Sequence, residues 1–293
     1  SGGVELSKGV QQQRLLLTTG IPCIDGDIGG LYSKTVWSFT GSPGSGKTRF
    51  AIANIVYRAM VISKIDVLMD ELELSEAEVR SMLIAHHIIH LYGGKIKIAD
   101  ADMNKGNLTA EQQRYYEAAR IDLFESGKYG KLVIRTGDLV VETLKKTMYS
   151  YLRHNRNTQL WVVDYAGLAK SEPQKKFAKR LEEFEIIGEL YKNAKEIAKV
   201  ADIGVFIINQ FNEKGVQASY MGKRILAGHV QGGQIIQRHA DYDLALCMTE
   251  EQELARMRSL STVKKRAAVG FQNKLLSVDL SVSMFRQVKQ NVA

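Results

Sequence analysis

The sequence has few of the features that define secreted, disulfide-bonded or membrane-spanning proteins. Only 2 of its 293 residues are cysteines and only 3 are prolines, which argues against a disulfide framework and a proline-rich linker. The cysteines, Cys23 and Cys247, belong to no metal-binding motif. No apolar run reaches the roughly 18–20 residues that span a bilayer, and no secretory signal is visible at the N-terminus. We therefore expect a reduced, cytoplasmic protein that does not enter a membrane.

The sequence does contain enough apolar residues for a large core, together with an excess of positive charge. Hydrophobic residues make up 45% of the chain, which excludes global disorder. The length fits one large α/β domain or two smaller ones. The formal net charge is +8. Such an excess suits a polyanionic partner such as nucleic acid, whereas nucleotide hydrolysis alone does not require it.

The strongest motif is a phosphate-binding loop, or P-loop, of the pattern G-x-x-x-x-G-K-[ST]. It reads Gly41-Ser42-Pro43-Gly44-Ser45-Gly46-Lys47-Thr48. An apolar strand is predicted before it and an amphipathic helix after it, and this is the context in which loop N–H groups and a helix N-terminus bind a polyphosphate. The motif predicts that Lys47 reaches the β- and γ-phosphates and that the Thr48 hydroxyl binds Mg²⁺. ATP and Mg²⁺ are the expected cofactors.

Apolar runs alternate with helical patterns along the chain, and this order predicts the fold. The predicted strands cover residues 35–40, 65–69, 131–135, 160–165, 203–210, 243–248, 261–266 and 275–280. Continuous apolar strands belong to parallel sheets that are covered on both faces. Strands that alternate with helices predict an α/β protein with a mostly parallel, twisted sheet flanked by helices. Residues 5–16 are predicted as a short polar helix, and residues 212–233 as a long, glycine-rich, basic loop.

Polar residues at the ends of predicted strands are candidates for the other catalytic groups. Asp164 follows four apolar residues, which is the Walker B pattern of an aspartate that holds Mg²⁺ directly or through water. Asp70, Glu71 and Glu73 follow the second strand, and each is able to orient or deprotonate an attacking water, so the residues alone leave this choice open. Gln210 ends a later strand and is a candidate sensor of hydrolysis beside the γ-phosphate.

These motifs together resemble the ATPase domain of DnaB-type replicative helicases, which has a RecA-like P-loop NTPase core. The resemblance covers most of residues 17–290. Besides the P-loop, it rests on Thr19-Gly20 with Gly29-Gly30-Leu31, Leu72-Glu73-Leu74, Val163-Asp164-Tyr165, Asn209-Gln210-Phe211-Asn212 and Lys264-Lys265-Arg266. It implies a RecA-like ATPase domain over residues 17–293, with antiparallel strands at the C-terminal end of the sheet. Residues 1–16 would then be an N-terminal extension or linker helix.

The resemblance also implies roles for individual residues. Glu73 corresponds to the catalytic glutamate, and Gln210 to the sensor that couples the nucleotide state to the DNA-binding loops. Lys264 and Arg266 correspond to the pair that reaches across a subunit boundary to the γ-phosphate of the neighbour. An arginine finger spreads positive charge over the transition state. Because this finger comes from another subunit, the resemblance implies a homo-oligomer, expected to be a hexameric ring.

Two basic segments are candidates for contact with single-stranded DNA. The loop after Gln210 carries Lys214, Lys223 and Arg224, and the segment 170–180 carries Lys175 and Lys176. Basic groups in a groove give sequence-independent, salt-sensitive binding. For both segments a solvated basic surface remains the alternative.

The sequence therefore predicts an ATP-dependent replicative DNA helicase motor that hydrolyses ATP at ring interfaces and translocates on single-stranded DNA. Two alternatives stay open: a RecA- or RadA-like recombination ATPase that forms filaments, and a nucleotide-switched scaffold protein. Primase and a helicase loader are partners that the resemblance suggests. Because only about 16 residues precede the predicted core, we expect the N-terminal helical domain of the family to be absent or removed.

Overall fold

The computed structural model describes residues 13–172, 181–266 and 268–288. Residues 1–12 hold most of the predicted N-terminal helix, and residues 173–180 hold the DNA-binding candidates Lys175 and Lys176. Both predictions lie outside the described residues. The described chain forms a nine-stranded sheet with helices on both faces, and a separate two-stranded sheet near the N-terminus.

The strands follow the predicted pattern, and three more are present at the two ends of the chain. In chain order they are β1 (Leu15–Leu17), β2 (Leu31–Tyr32), β3 (Val36–Gly41), β4 (Asp66–Glu71), β5 (Leu132–Arg135), β6 (Thr158–Asp164), β7 (Gly204–Gln210), β8 (Tyr242–Cys247), β9 (Met257–Lys264), β10 (Lys274–Asp279) and β11 (Met284–Gln287). The order across the large sheet is β11-β10-β9-β8-β3-β7-β6-β4-β5, and β1 pairs with β2. The strands from β8 to β5 are parallel, whereas β9, β10 and β11 are antiparallel. The predicted fold class is therefore confirmed.

The helices connect the parallel strands and cover the sheet. They are α1 (Pro22–Asp27), α2 (Lys47–Phe50, continuing as wider π-type turns over Ala51–Val56 and Arg58–Ile62), α3 (Glu76–Leu91), α4 (Asp100–Lys105), α5 (Ala110–Phe124), α6 (Leu144–His154), α7 (Glu183–Ala201), α8 (Glu213–Tyr220), α9 (Gly233–His239) and α10 (Glu250–Leu254). Within the described ranges, no helix is long and apolar enough to cross a membrane.

Two apolar layers explain why the central strands have almost no polar residues. In β6, Leu160 and Val162 pack into the layer that contains α2, while Trp161 and Val163 pack into the layer that contains α6 and α7. Successive side chains of a strand point to opposite faces, and here both faces are covered. The sheet is thus a rigid central support, and the polar residues at its strand ends are held in fixed positions.

The prediction of one long loop over residues 212–233 is wrong. This segment contains α8, a turn of 3₁₀ helix at Ala227–His229 and the start of α9. The side chain of Asn212 caps α8 by accepting a hydrogen bond from the Gly215 N–H at 3.0 Å. Gly215 is required for close packing, because a Cβ atom there would lie 2.1 Å from the carbonyl oxygen of His229. A glycine that suggests a loop from sequence is here a site of close contact.

The helix predicted over residues 5–16 does not extend to its expected end. Leu15–Leu17 form β1, which pairs with Leu31–Tyr32 of β2. Leu16 and Leu17 are buried in the same layer as α2. The N-terminal part of the described chain is therefore attached to the core as a strand.

Candidate functional site

The carboxyl ends of four parallel strands meet at one edge of the sheet. Gly41, the last residue of β3, is paired with Gln210 of β7, and Glu71 of β4 is paired with Asp164 of β6. In open parallel sheets this is the edge at which ligands bind. A cleft of about 230 Å³ lies there. Residues that the sequence singled out line this cleft together: Pro43, Gly44, Gly46, Lys47 and Thr48 of the P-loop, with Glu73, Asp164 and Gln210.

The P-loop wraps around the carbonyl oxygen of Ser42. The Lys47 ammonium and the Ser45 hydroxyl each donate a hydrogen bond to this oxygen at 2.8 Å. Gly44 and Gly46 have φ angles of 74° and 98°, a region that side chains disfavour. A Cβ atom on Gly46 would also lie 2.8 Å from the Leu280 side chain. The glycines of the motif are therefore needed for the shape of the loop as it enters α2.

Charged groups of opposite sign are buried side by side at the base of the cleft. Burial lowers the pKa of Lys47 to about 8, although the charges of Asp164 and Glu73 oppose this shift. Burial raises the pKa of Asp164 to about 6, and a hydrogen bond from the Thr48 hydroxyl and the charge of Lys47 oppose it. Such competing shifts are typical of functional sites in clefts. The cleft thus holds a cation for phosphates beside an acid that can face a metal ion.

The residues at this position fit a Mg²⁺ ion. Asp164 is 1% exposed, and its Oδ2 atom has no hydrogen-bond partner among the described residues. The hydroxyl of Thr48 lies beside the same carboxylate and acts to lower its pKa. Mg²⁺ is usually held by one or two protein oxygens together with water and substrate phosphates. Thr48 and Asp164 are therefore a suitable pair of protein groups for a Mg²⁺–nucleotide complex.

The structure separates the three acids that follow β4, and only Glu73 lines the cleft. Asp70 is paired with Arg135 by two hydrogen bonds of 2.7 and 2.6 Å and also accepts one from the indole of Trp161 at 2.7 Å. The carboxylate of Glu71 is buried and accepts hydrogen bonds from backbone N–H groups of the following turn. This placement favours Glu73 as the group that faces a bound nucleotide.

Gln210 lines the cleft together with Glu73, and its side-chain amide lies beside the hydroxyl of Tyr165. Tyr165 directly follows Asp164 and lines the same cleft. The backbone of Gln210 is also connected to the next segment, because its carbonyl accepts a hydrogen bond from the Gln231 N–H at 3.0 Å. Gln210 therefore links the cleft to both ends of the segment that leaves β7.

Lys264 and Arg266 lie far from this cleft. Lys264 ends β9 and is paired with Asp243 of β8, which in turn is level with Ser38 of β3. Ser38 is three residues, or about 10 Å, before the end of β3 that leads into the P-loop. Because β9 is antiparallel to β8, it runs away from that end, and its last residue, Lys264, lies on the far side of the sheet from the P-loop. Lys264 donates hydrogen bonds to backbone carbonyls, one of them that of Ala240 at 2.6 Å. Neither basic residue is able to reach the nucleotide site of its own chain.

A family model described as the DnaB-like helicase C terminal domain matches residues 17–273. This chain belongs to that family. Membership of this family supports a helicase-type function that requires a nucleotide and has DNA as a partner. The resemblance seen in the sequence is thereby confirmed.

Many solved structures are similar to this chain, among them the following two. One is the structure of an ATPase domain, with a TM-score of 0.74 and 17% identity over 93% of this chain and 91% of that chain. The other is the structure of a DnaB-like replicative helicase and its interactions with primase, with a TM-score of 0.74 and 16% identity over 93% of this chain and 62% of that chain. At these identities the two structures support the fold. A search of curated proteins found no match.

In this DnaB-like helicase domain, the described DNA-binding candidates lie on one segment of the chain. This segment begins after Gln210 at the end of β7 and ends at Gln231. Lys214 lies on α8, while Lys223 and Arg224 follow the end of α8 in an irregular segment. All three side chains are exposed. The structure therefore places these basic groups beyond the strand end that carries Gln210.

Two arginines that support the site had no signal in the sequence. Arg258 of β9 is 3% exposed and donates a hydrogen bond from Nε to the carbonyl of Ser45 in the P-loop at 2.8 Å. Arg49 lines the cleft and is held by Asp100 through bonds of 3.0 and 2.9 Å. Both contacts join segments that are distant in sequence, so no local spacing predicts them.

Proposed function

We propose that this chain is the motor domain of a ring-forming replicative helicase that hydrolyses ATP at its subunit interfaces and moves along single-stranded DNA. One observation carries the proposal. Lys47, Thr48, Glu73, Asp164 and Gln210 share a cleft, while Lys264 and Arg266 lie toward the opposite edge of the sheet. A site split in this way is complete only when a second subunit supplies the basic pair.

Each group in the cleft has a definite task in this proposal. Lys47 and the P-loop N–H groups bind the phosphates, and Thr48 and Asp164 hold Mg²⁺. When bound, Mg²⁺ neutralises negative charge on the phosphate oxygens. Glu73 accepts a hydrogen bond from the attacking water and orients it, and Gln210 changes its contacts when the γ-phosphate is lost. Catalysis of this kind depends on charged groups that are held in fixed positions, and the rigid strand ends hold them there.

The basic pair of a neighbouring subunit completes the site. Arg266 carries a guanidinium that remains largely exposed in the single chain. Positive charge placed on the transferring phosphoryl group is worth about 10³–10⁵ in kcat when it comes as an arginine finger. Lys264 and Arg266 therefore make hydrolysis depend on assembly, and a hexameric ring is the assembly we propose.

The segment between Gln210 and Gln231 is the proposed DNA-binding element. Its exposed cations Lys214, Lys223 and Arg224 contact backbone phosphates, and Gln210 at its base transmits the nucleotide state to it. A primase and a helicase loader are proposed protein partners, and a cytoplasmic location remains our expectation. The family match favours this helicase over a RecA- or RadA-like recombination ATPase and over a nucleotide-switched scaffold.

The ATPase rate with and without single-stranded DNA tests the proposed motor. We expect steady-state hydrolysis to increase when single-stranded DNA is added and duplex displacement to require ATP. A protein that hydrolyses ATP slowly, at a rate unaffected by DNA or by protein concentration, would be a monomeric switch instead. A protein that exchanges homologous strands without displacing a duplex would be a recombination ATPase.

The salt dependence of DNA binding tests the proposed DNA-binding element. For Lys223→Ala/Arg224→Ala we expect weaker binding to single-stranded DNA and a slope of log K against log salt that is less negative by about 1.4, since each lost phosphate contact removes about 0.7. The control is Lys105→Ala/Lys146→Ala, which removes the same charge from exposed positions on α4 and α6. Equal slopes for the two double variants, measured by fluorescence anisotropy, would exclude this element.

A further inference from the structure

The turn between β4 and α3 carries Glu73 and is fixed at every backbone N–H from Leu72 to Ser75. The Leu72 N–H donates to the carbonyl of Asp164 at 2.7 Å. The Ser75 N–H donates to Glu78 in the capping box of α3 at 2.9 Å. Between these two anchors, the N–H groups of Glu73 and Leu74 donate to a side chain. The position of Glu73 therefore depends on that side chain.

The side chain in question is that of Glu71, the last residue of β4. Its Oε1 atom accepts hydrogen bonds from the Glu73 N–H at 3.0 Å and from the Leu74 N–H at 2.9 Å. Glu71 is 1% exposed, and burial raises its pKa to about 8, with the charge of Asp164 acting in the same direction. An acid in such a place is costly unless its hydrogen bonds matter for the structure around it.

The carboxylate of Glu73 itself has no comparable support. It is exposed at the mouth of the cleft, and among the described residues no hydrogen bond or ion pair holds it. The fold therefore fixes only the backbone of Glu73, which determines where its side chain starts and which positions the carboxylate is able to reach. A displacement of about 1 Å in a group that orients a reactant is able to cost about 100-fold in rate. Whatever fixes the backbone of Glu73 consequently affects the chemical step.

We propose that Glu71 is a positioning residue for hydrolysis: its Oε1 atom holds the backbone of Glu73 and Leu74 so that the Glu73 carboxylate faces the reacting water. The inference rests on the proposed function of Glu73. Glu71 does not contact the nucleotide site directly, because it lies outside the lining of the cleft. What it supplies is a hydrogen-bond acceptor at a fixed point.

Two variants of Glu71 separate the acceptor from the buried volume. In Glu71→Gln an amide oxygen still accepts both N–H groups, and the amide nitrogen replaces Oε2, which has no hydrogen-bond partner among the described residues. In Glu71→Leu the volume is filled and the acceptor is lost. For the assembled protein with DNA and Mg²⁺–ATP, we expect Glu71→Gln to retain kcat and Glu71→Leu to lower kcat about 10- to 100-fold with KM for ATP unchanged.

Asp70→Asn is the matched structural control. It weakens a buried ion pair at the same strand end, and Asp70 lies outside the lining of the cleft. We expect it to lower the unfolding temperature without changing the ratio of kcat to KM. If Glu71→Leu behaves like Asp70→Asn, or if Glu71→Gln loses as much kcat as Glu71→Leu, then Glu71 does not position Glu73 by accepting these bonds.

Glu73→Gln distinguishes failure of the inference from failure of the proposed function. If Glu73→Gln retains the wild-type kcat, Glu73 has no role in catalysis, whatever the results for the Glu71 variants. A large loss in Glu73→Gln together with full activity in Glu71→Leu would leave the proposed function intact and overturn only the role of Glu71. Binding of a fluorescent nucleotide by each variant shows that the site itself is still formed.

Discussion

The guanidinium of Arg266 donates a hydrogen bond to the carboxylate of Asp241 at 2.7 Å, toward the edge of the sheet opposite the P-loop. Asp241 also accepts a bond from the Val36 N–H at 2.8 Å and pairs with Lys195 at 2.5 Å. Asp241 is buried, whereas the side chain of Arg266 is 66% exposed. The arginine is thus fixed at one atom and open to another molecule over most of its surface.

This arrangement predicts very different effects on stability for the two members of the pair. Asp241→Asn leaves Lys195 poorly paired in a buried place, so we expect the free energy of unfolding to fall by about 3 kcal/mol or more. Arg266→Ala removes an exposed partner, and we expect a change below about 1 kcal/mol. Urea unfolding of both variants measures this. Similar losses would mean that Arg266 is a structural residue of its own chain.

Asp243 predicts the pH dependence of stability. It is fully buried in β8 and accepts hydrogen bonds from the Thr40 hydroxyl at 3.2 Å and the Gln237 amide at 3.1 Å. Burial raises its pKa from 3.8 to about 7, so between these values the folded protein binds a proton that the unfolded chain releases. Its contribution to stability is therefore complete below about pH 4 and is lost as the pH rises through 7.

The measurement is thermal or urea unfolding between pH 4 and 8. We expect the wild-type free energy of unfolding to contain a component that falls by at most about 1.4 kcal/mol per pH unit in this range. Asp243→Asn cannot ionise and should lack that component, so its stability relative to the wild type should improve as the pH rises. An identical pH profile for the two proteins would show that Asp243 titrates as an ordinary carboxyl group.

Local signals in the sequence were sufficient for the parts of the site that lie at strand ends. The P-loop pattern, the aspartate after an apolar strand and the glutamine after another each predicted a residue that lies in the cleft, because parallel strands bring their carboxyl ends to one edge. The choice among Asp70, Glu71 and Glu73 was not available from local pattern. It depends on the direction in which each side chain leaves the end of β4, and the resemblance to the family supplied it before the structure did.

Features that depend on contacts between distant segments were missed or wrong. Arg258 supports the P-loop from β9, and only the antiparallel register of that strand brings it there. The glycine-rich composition of residues 212–233 suggested a loop, yet Gly215 lies in α8 against the His229 backbone. The same register places Lys264 and Arg266 toward the end of the parallel strands that is opposite the P-loop. The resemblance to the family suggested their role, while topology places them away from the nucleotide site of their own chain.

The most direct test of the account is a mixing experiment with Arg266→Ala and Lys47→Ala. Each variant alone should have almost no DNA-stimulated ATPase activity, because the first lacks the proposed arginine finger and the second lacks the proposed phosphate-binding lysine. In mixed assemblies some interfaces join an intact P-loop to an intact Arg266, so we expect partial recovery of the ATPase rate that depends on the mixing ratio. Full activity of Arg266→Ala alone, or no recovery at any ratio in assemblies shown to be mixed, would contradict a nucleotide site completed by the neighbouring subunit.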